Sequence, residues 1–95
     1  MGQLRRRARA LAARVRQGDA EAAGALLAHS VSQGHGKLAL RRFLLARALG
    51  ARVSAADKRY CARIVACLPV EAVAVMAEEE WRKAMRYRGR ETFDG

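Results

Sequence analysis

A chain of 95 residues with nineteen Lys/Arg, nine Asp/Glu and a formal net charge of +10 forms one small domain whose binding partner must bring negative charge. Hydrophobic residues make up 52 % of it, but alanine supplies much of that and aromatics only 5 %, so its core is modest and mainly aliphatic. There is no run of eighteen apolar residues to span a membrane, and two cysteines are too few for a disulfide-stapled scaffold.

The charge is uneven along the chain. Residues 1–69 hold fourteen basic and three acidic residues, a net +11, whereas residues 70–95 hold five and six, a net −1. Sixteen of the nineteen cations are arginine, whose planar fork grips phosphate or carboxylate with paired hydrogen bonds. The Ala/Arg/Gly bias suggests a GC-rich bacterial or phage genome. The basic start, Met1 to Arg7, has the charge of a signal n-region, but arginines recur too often for an apolar h-region to follow.

The first predicted helix has Leu4, Ala8, Leu11, Ala12 and Val15 on one face, with Arg5, Arg6, Arg7, Arg9, Arg14 and Arg16 over the rest. Gly18 ends it, and Asp19 is placed to cap a second helix that runs to about Ser32, with Ala23, Leu26, Leu27, Ser30 and Val31 as its stripe. Gln33-Gly34-His35-Gly36 is a turn.

The third helix, about Lys37–Leu49, is apolar almost all round and is therefore the central one. Arg41, Arg42 and Arg47 must leave it at its edges or pair, and Glu71, Glu78 and Glu80 are candidate partners. Gly50 closes this helix. Ser54 caps a fourth, with Asp57 three residues on, and its buried arc reads Tyr60, Cys61, Ile64, Val65, Cys67 and Leu68. Lys58, Arg59 and Arg63 stand outside that arc.

Pro69 stops the fourth helix and opens a fifth, whose apolar face reads Val70, Val73, Ala74, Ala77, Trp81, Ala84 and Met85. Phe43 and Trp81 are read as core, and Glu78→Arg82 and Glu79→Lys83 as pairs four apart. The helix is expected to fray after about Tyr87, giving one helical domain, 1–88, with a polar tail, 89–95. No segment alternates with period two, so no strand is expected.

Ala8–Val15 matches Ala46–Val53 at seven of eight positions, and at the same offset Asp19 meets Asp57. The fold class expected is thus all-α, a small bundle of four to five helices, with two related hairpins and a closing helix if the similarity is a true repeat.

No catalytic constellation is evident, and an enzyme is not expected. His29 and His35 lack a nucleophile or carboxylate at a motif spacing, and three consecutive glutamates splay too widely around a helix to share a metal. Neither cofactor nor metal is expected. Gly34-His35-Gly36-Lys37, opening a helix, has room for one phosphate but lacks the nucleotide-loop pattern. Cys61 and Cys67, six apart, read as buried reduced thiols, which points to the cytoplasm.

Leu45-Ala46-Arg47-Ala48-Leu49-Gly50 followed by Val53-Ser54 resembles bacterial helix-turn-helix domains, with Ala51-Arg52 lengthening the turn. Arg14 to Ala22 with Leu26-Leu27 is similar to the opening of the core-binding domain of small sigma factors, although the acidic-aromatic segment that should follow is missing. The two resemblances exclude each other, and neither assigns a role to a residue. The expected function is non-enzymatic binding through Arg5, Arg6, Arg7, Arg9, Arg14, Arg16, Arg47, Arg52, Lys58, Arg59 and Arg63. The expected ligand is the phosphate backbone of DNA or RNA; the alternative is an acidic surface of a host protein, met by a small inhibitor or adaptor. A small-molecule substrate is not expected, membrane binding is disfavoured by a narrow Ala-rich stripe, and a homodimer is allowed.

Overall fold

A computed structural model describes the backbone of residues 2–92 and the side chains of residues 2–89. Five helices follow one another: α1 Gly2–Val15, α2 Ala20–Ser32, α3 Gly36–Ala48, α4 Ala55–Ala66 and α5 Val70–Thr92. No strand occurs among the described residues, so the molecule is the all-α bundle that its composition predicts.

The helix boundaries follow from local chemistry. The Asp19 carboxylate accepts the Ala22 N–H at 3.0 Å and caps α2, while Ser54 Oγ accepts the Asp57 N–H at 3.1 Å and caps α4. Gly18 (φ 86°) and Gly50 (φ 82°) close α1 and α3 in the left-handed conformation that other residues avoid. Pro69 precedes α5, and its carbonyl accepts the Ala72 and Val73 N–H groups. α5 continues to Thr92, past the expected fraying point at Tyr87, because each residue added to a formed helix gains a hydrogen bond. Of the expected tail, residues 93–95 lie outside the described residues.

α3 is the hub, packing on α2, α4 and α5, while α1 lies on α2. It contributes to two core clusters. Leu45 and Ala46 join Leu11, Val15, Ala22, Ala23, Leu26 and Ala84; Ala39 and Leu40 join Leu27, Cys61 and Met76. Alanines at these crossings let helix axes approach closely, and each buried leucine adds about 2 kcal/mol of apolar transfer. Gly36 serves the same end at the start of α3, where a Cβ would lie 2.8 Å from Ile64 Cδ1 of α4.

Three expectations need correction. Trp81 is 52 % exposed rather than core, because α5 turns Met76, Glu80 and Ala84 inward and leaves Val70, Trp81 and Met85 in solvent. Cys67 and Val65 are exposed too; α4 buries Cys61 fully, and Cys67 sits at the helix C-cap, where the chain turns toward Pro69. The matched octapeptides differ in backbone. Ala8–Val15 lies wholly within α1, whereas Ala46–Val53 crosses the end of α3 and the Gly50 turn. Asp19 is an N-cap, but Asp57 stands in the first turn of α4 behind Ser54.

Candidate anion-binding cleft

Two adjoining depressions between α1 and α3 make up a cleft, with Leu38 and Arg42 in the walls of both. The upper part, about 300 Å³, is bounded by Leu4, Arg5 and Ala8 of α1, His29 and Gln33 at the end of α2, and His35, Leu38 and Arg42. The lower part, about 160 Å³, continues past Ala12, Val15 and Arg16 to Arg41, Leu45 and the α5 residues Glu80, Lys83 and Tyr87. The α1 wall from Leu4 to Arg16 spans about 18 Å at the rise of an α-helix.

The helical repeat of α3 assembles the opposite wall: Leu38, Arg42 and Leu45 recur at three- and four-residue steps and so share a face. Arg41 stands beside that face and docks α5. Its Nη1 donates to Glu79 Oε1 at 2.9 Å and to Glu80 Oε2 at 3.1 Å, and Lys83 Nζ reaches the same Glu80 oxygen at 3.0 Å. The Glu80 side chain is 3 % exposed, so two cations hold one buried carboxylate. The Glu79 and Glu80 carboxylates raise the pKa of Arg41 further, so it stays charged.

Arg42, the next residue, is different. It is half-buried, and among the described residues its one hydrogen-bond partner is the Ser30 hydroxyl, which accepts from Nη1. Burial pushes its pKa down, with no carboxylate to offset the cost.

The sequence-predicted cations divide into groups. Arg5 and Arg16 line the cleft, while Arg6, Arg7 and Arg9 are exposed elsewhere on α1. Arg14 is engaged by Asp19, with Nε and Nη2 at 2.9 and 2.8 Å from one carboxylate oxygen. Arg47 is exposed in the last turn of α3, and Arg52 lines a separate depression beside Ala20, Glu21 and Gly24. Lys58, Arg59 and Arg63 are exposed on α4. The cations therefore occupy α1, the end of α3, the α3–α4 connection and α4.

Sequence reasoning did not place His29, Arg41, Arg42 or Lys83 in a site, and named His35 only within the Gly34–Lys37 turn that has room for one phosphate. The one usable signal was that Arg41 and Arg42 interrupt an otherwise apolar helix. Of the Glu71, Glu78 and Glu80 offered as their partners, Glu80 is used, by Arg41; Glu78 binds Arg82 at 2.6 Å, as its spacing predicts. Lys83 takes Glu80 instead of the expected Glu79, which Arg41 occupies.

Four of the seven described acidic side chains are held in ion pairs. Asp19, Glu78, Glu79 and Glu80 pair with cations, and Glu21, Asp57 and Glu71 lie in first helical turns, where they complement the helix dipole. No group of three His, Cys, Asp or Glu able to hold a metal occurs among the described residues. No helix among them is long and apolar enough to cross a membrane. No protein-family model, characterised protein or solved structure matches this chain.

Proposed function

We propose that this protein binds the phosphate backbone of nucleic acid through its arginine-rich α1 and α4 surfaces, without catalysing a reaction. The observation that carries this reading is that Arg5, Arg6, Arg7, Arg9, Arg16, Arg47, Arg52, Lys58, Arg59 and Arg63 are exposed with no ion pair among the described residues. Four of the seven described carboxylates are held by other cations, and Glu21, Asp57 and Glu71 are too few to neutralise ten. A surface of this kind releases condensed counterions when it meets a polyphosphate, and arginine suits that contact better than lysine. The scarcity of exposed aromatic rings favours backbone contact over recognition by base stacking.

The test is fluorescence anisotropy with labelled duplex and single-stranded DNA and RNA over a range of salt. If about five phosphates are contacted, log affinity falls with log salt at a slope of about −4. Replacing Arg6, Arg7 and Arg9 together with glutamine reduces that slope by about 2–3. The reading fails if no nucleic acid binds at about 0.1 M salt, a concentration at which exposed charges still act over about 10 Å. Stable capture of one acidic host protein in that case supports the inhibitor or adaptor reading instead.

A further inference from the structure

The cleft contains a cation that the fold does not neutralise. Arg41 and Arg42 are neighbours on one buried helix, yet Arg41 receives two carboxylates and Arg42 only a serine hydroxyl. A guanidinium has five N–H donors, and desolvating it without a counter-charge is costly. The fold accepts that cost at the one place where the upper and lower parts of the cleft meet.

What surrounds Arg42 fits an anion. Arg5 lines the same upper cleft from α1, together with His29, Gln33 and His35, and no carboxylate lines that part. Leu4, Ala8 and Leu38 supply an apolar side. A volume of about 300 Å³ is at the small end of ligand pockets, enough for a charged headgroup and one attached ring or sugar. Two guanidiniums suit a doubly charged tetrahedral group better than the single charge of a phosphodiester.

We propose that the upper cleft binds a phosphate monoester, with Arg42 and Arg5 on its oxygens and Leu4, Ala8 and Leu38 against the group it esterifies. This rests on the nucleic-acid reading insofar as the monoester is the terminal phosphate of a strand. A free nucleoside monophosphate carries the same chemistry, and the experiment separates the two.

The experiment compares one short single strand with a 5′-phosphate, with a 3′-phosphate, or with hydroxyls at both ends, at one salt concentration near 0.1 M. Nucleoside 5′-monophosphate and inorganic phosphate are titrated separately by calorimetry. One phosphorylated end is expected to bind about tenfold more tightly than the hydroxyl-ended strand, a difference of about 1.4 kcal/mol. That ratio drops to about one in Arg42→Gln. Because Arg42 is half-buried, Arg5→Gln, at an exposed side chain, is measured beside it and is expected to lower the ratio too. Arg6→Gln, away from the cleft lining, weakens all strands alike and leaves the ratio unchanged.

If all three strands bind equally and neither free phosphate compound binds, the cleft proposal is overturned and the backbone reading stands. If no strand binds but the monophosphate does, and Arg42→Gln and Arg5→Gln each weaken it, the cleft is confirmed as a mononucleotide site and the backbone reading falls. A phosphorylated-end preference that survives both variants overturns the cleft proposal.

Discussion

Asp19 does two jobs with one carboxylate. It caps α2 through the Ala22 N–H and holds Arg14 on α1, so it links the two helices across the Gly18 turn. The Ala22 hydrogen bond first, and the Arg14 hydrogen bond second, hold its pKa below the ordinary value of 3.8. A carboxylate whose folded pKa is depressed stabilises the fold fully above its unfolded value and loses that contribution as pH falls through the folded one. Asp19→Ala is expected to cost about 1 kcal/mol at neutral pH, measured by urea unfolding. The gap between the two proteins should narrow below pH 3.8. The cysteines give a second residue-scale test. Cys61 is buried, and burial, aided by Asp57, pushes its thiol pKa up, whereas Cys67 is exposed. Iodoacetamide should therefore modify Cys67 alone in the folded protein, as peptide mass spectrometry would show, and reach Cys61 only after unfolding.

At the scale of elements, α5 is tied to α3 by an ion cluster around the buried Glu80 carboxylate as well as by apolar contact. Glu80→Ala removes the buried carboxylate that two partly exposed cations share, while Arg41 keeps Glu79, so it is expected to destabilise the protein by about 1–3 kcal/mol. The exposed Glu79 binds the same arginine, but Glu79→Ala should cost less than about 1 kcal/mol. A thermal or denaturant melt of the two variants side by side checks the difference. This cluster also explains what the sequence made legible and what it hid. α2 was readable to its cap, because Asp19 and the Ala23-Leu26-Leu27-Ser30 stripe are local signals. The extent of α3 and the Ser54 cap of α4 were equally local. The inward face of α5 was readable only in part: Ala84 was on the expected face and Glu80 among three glutamates offered to the α3 arginines, but Trp81 and Met85 were placed inward too. A glutamate in a helix is expected to face water, and Glu80 faces inward only because Arg41, thirty-nine residues earlier, meets it there. The face was therefore assigned a third of a turn away, on Trp81 and Met85. The Ala8 and Ala46 octapeptides misled in the opposite way, since shared Ala and Arg do not dictate whether a segment continues a helix or ends one.

The whole molecule separates its charges by role. Most described carboxylates pair with cations at the Asp19 cap, along α5 or in the α3–α5 cluster, and the arginine excess is left outside. One consequence concerns assembly of the fold itself: exposed like charges on α1 repel one another at low ionic strength. Moderate salt should thus raise the midpoint of thermal unfolding while it weakens polyphosphate binding, two opposite trends that differential scanning calorimetry and anisotropy can record on one sample. The candidate cleft was only half legible for a related reason. Arg5 and Arg16 stand out as charges beside an apolar stripe, but the contribution of Arg42 depends on what it lacks, and only the folded neighbourhood shows that Ser30 is its partner.

The outward position of Trp81 sets how this protein will look to a spectroscopist. It is the chain's single tryptophan and is 52 % exposed in the folded state. Its emission should therefore be that of an indole in contact with water, unfolding should shift the spectrum little, and a flat fluorescence trace would be no sign that the helices have survived. Acrylamide should quench the native protein almost as well as the denatured one. Helix loss is better followed by far-ultraviolet ellipticity, to which all five helices contribute.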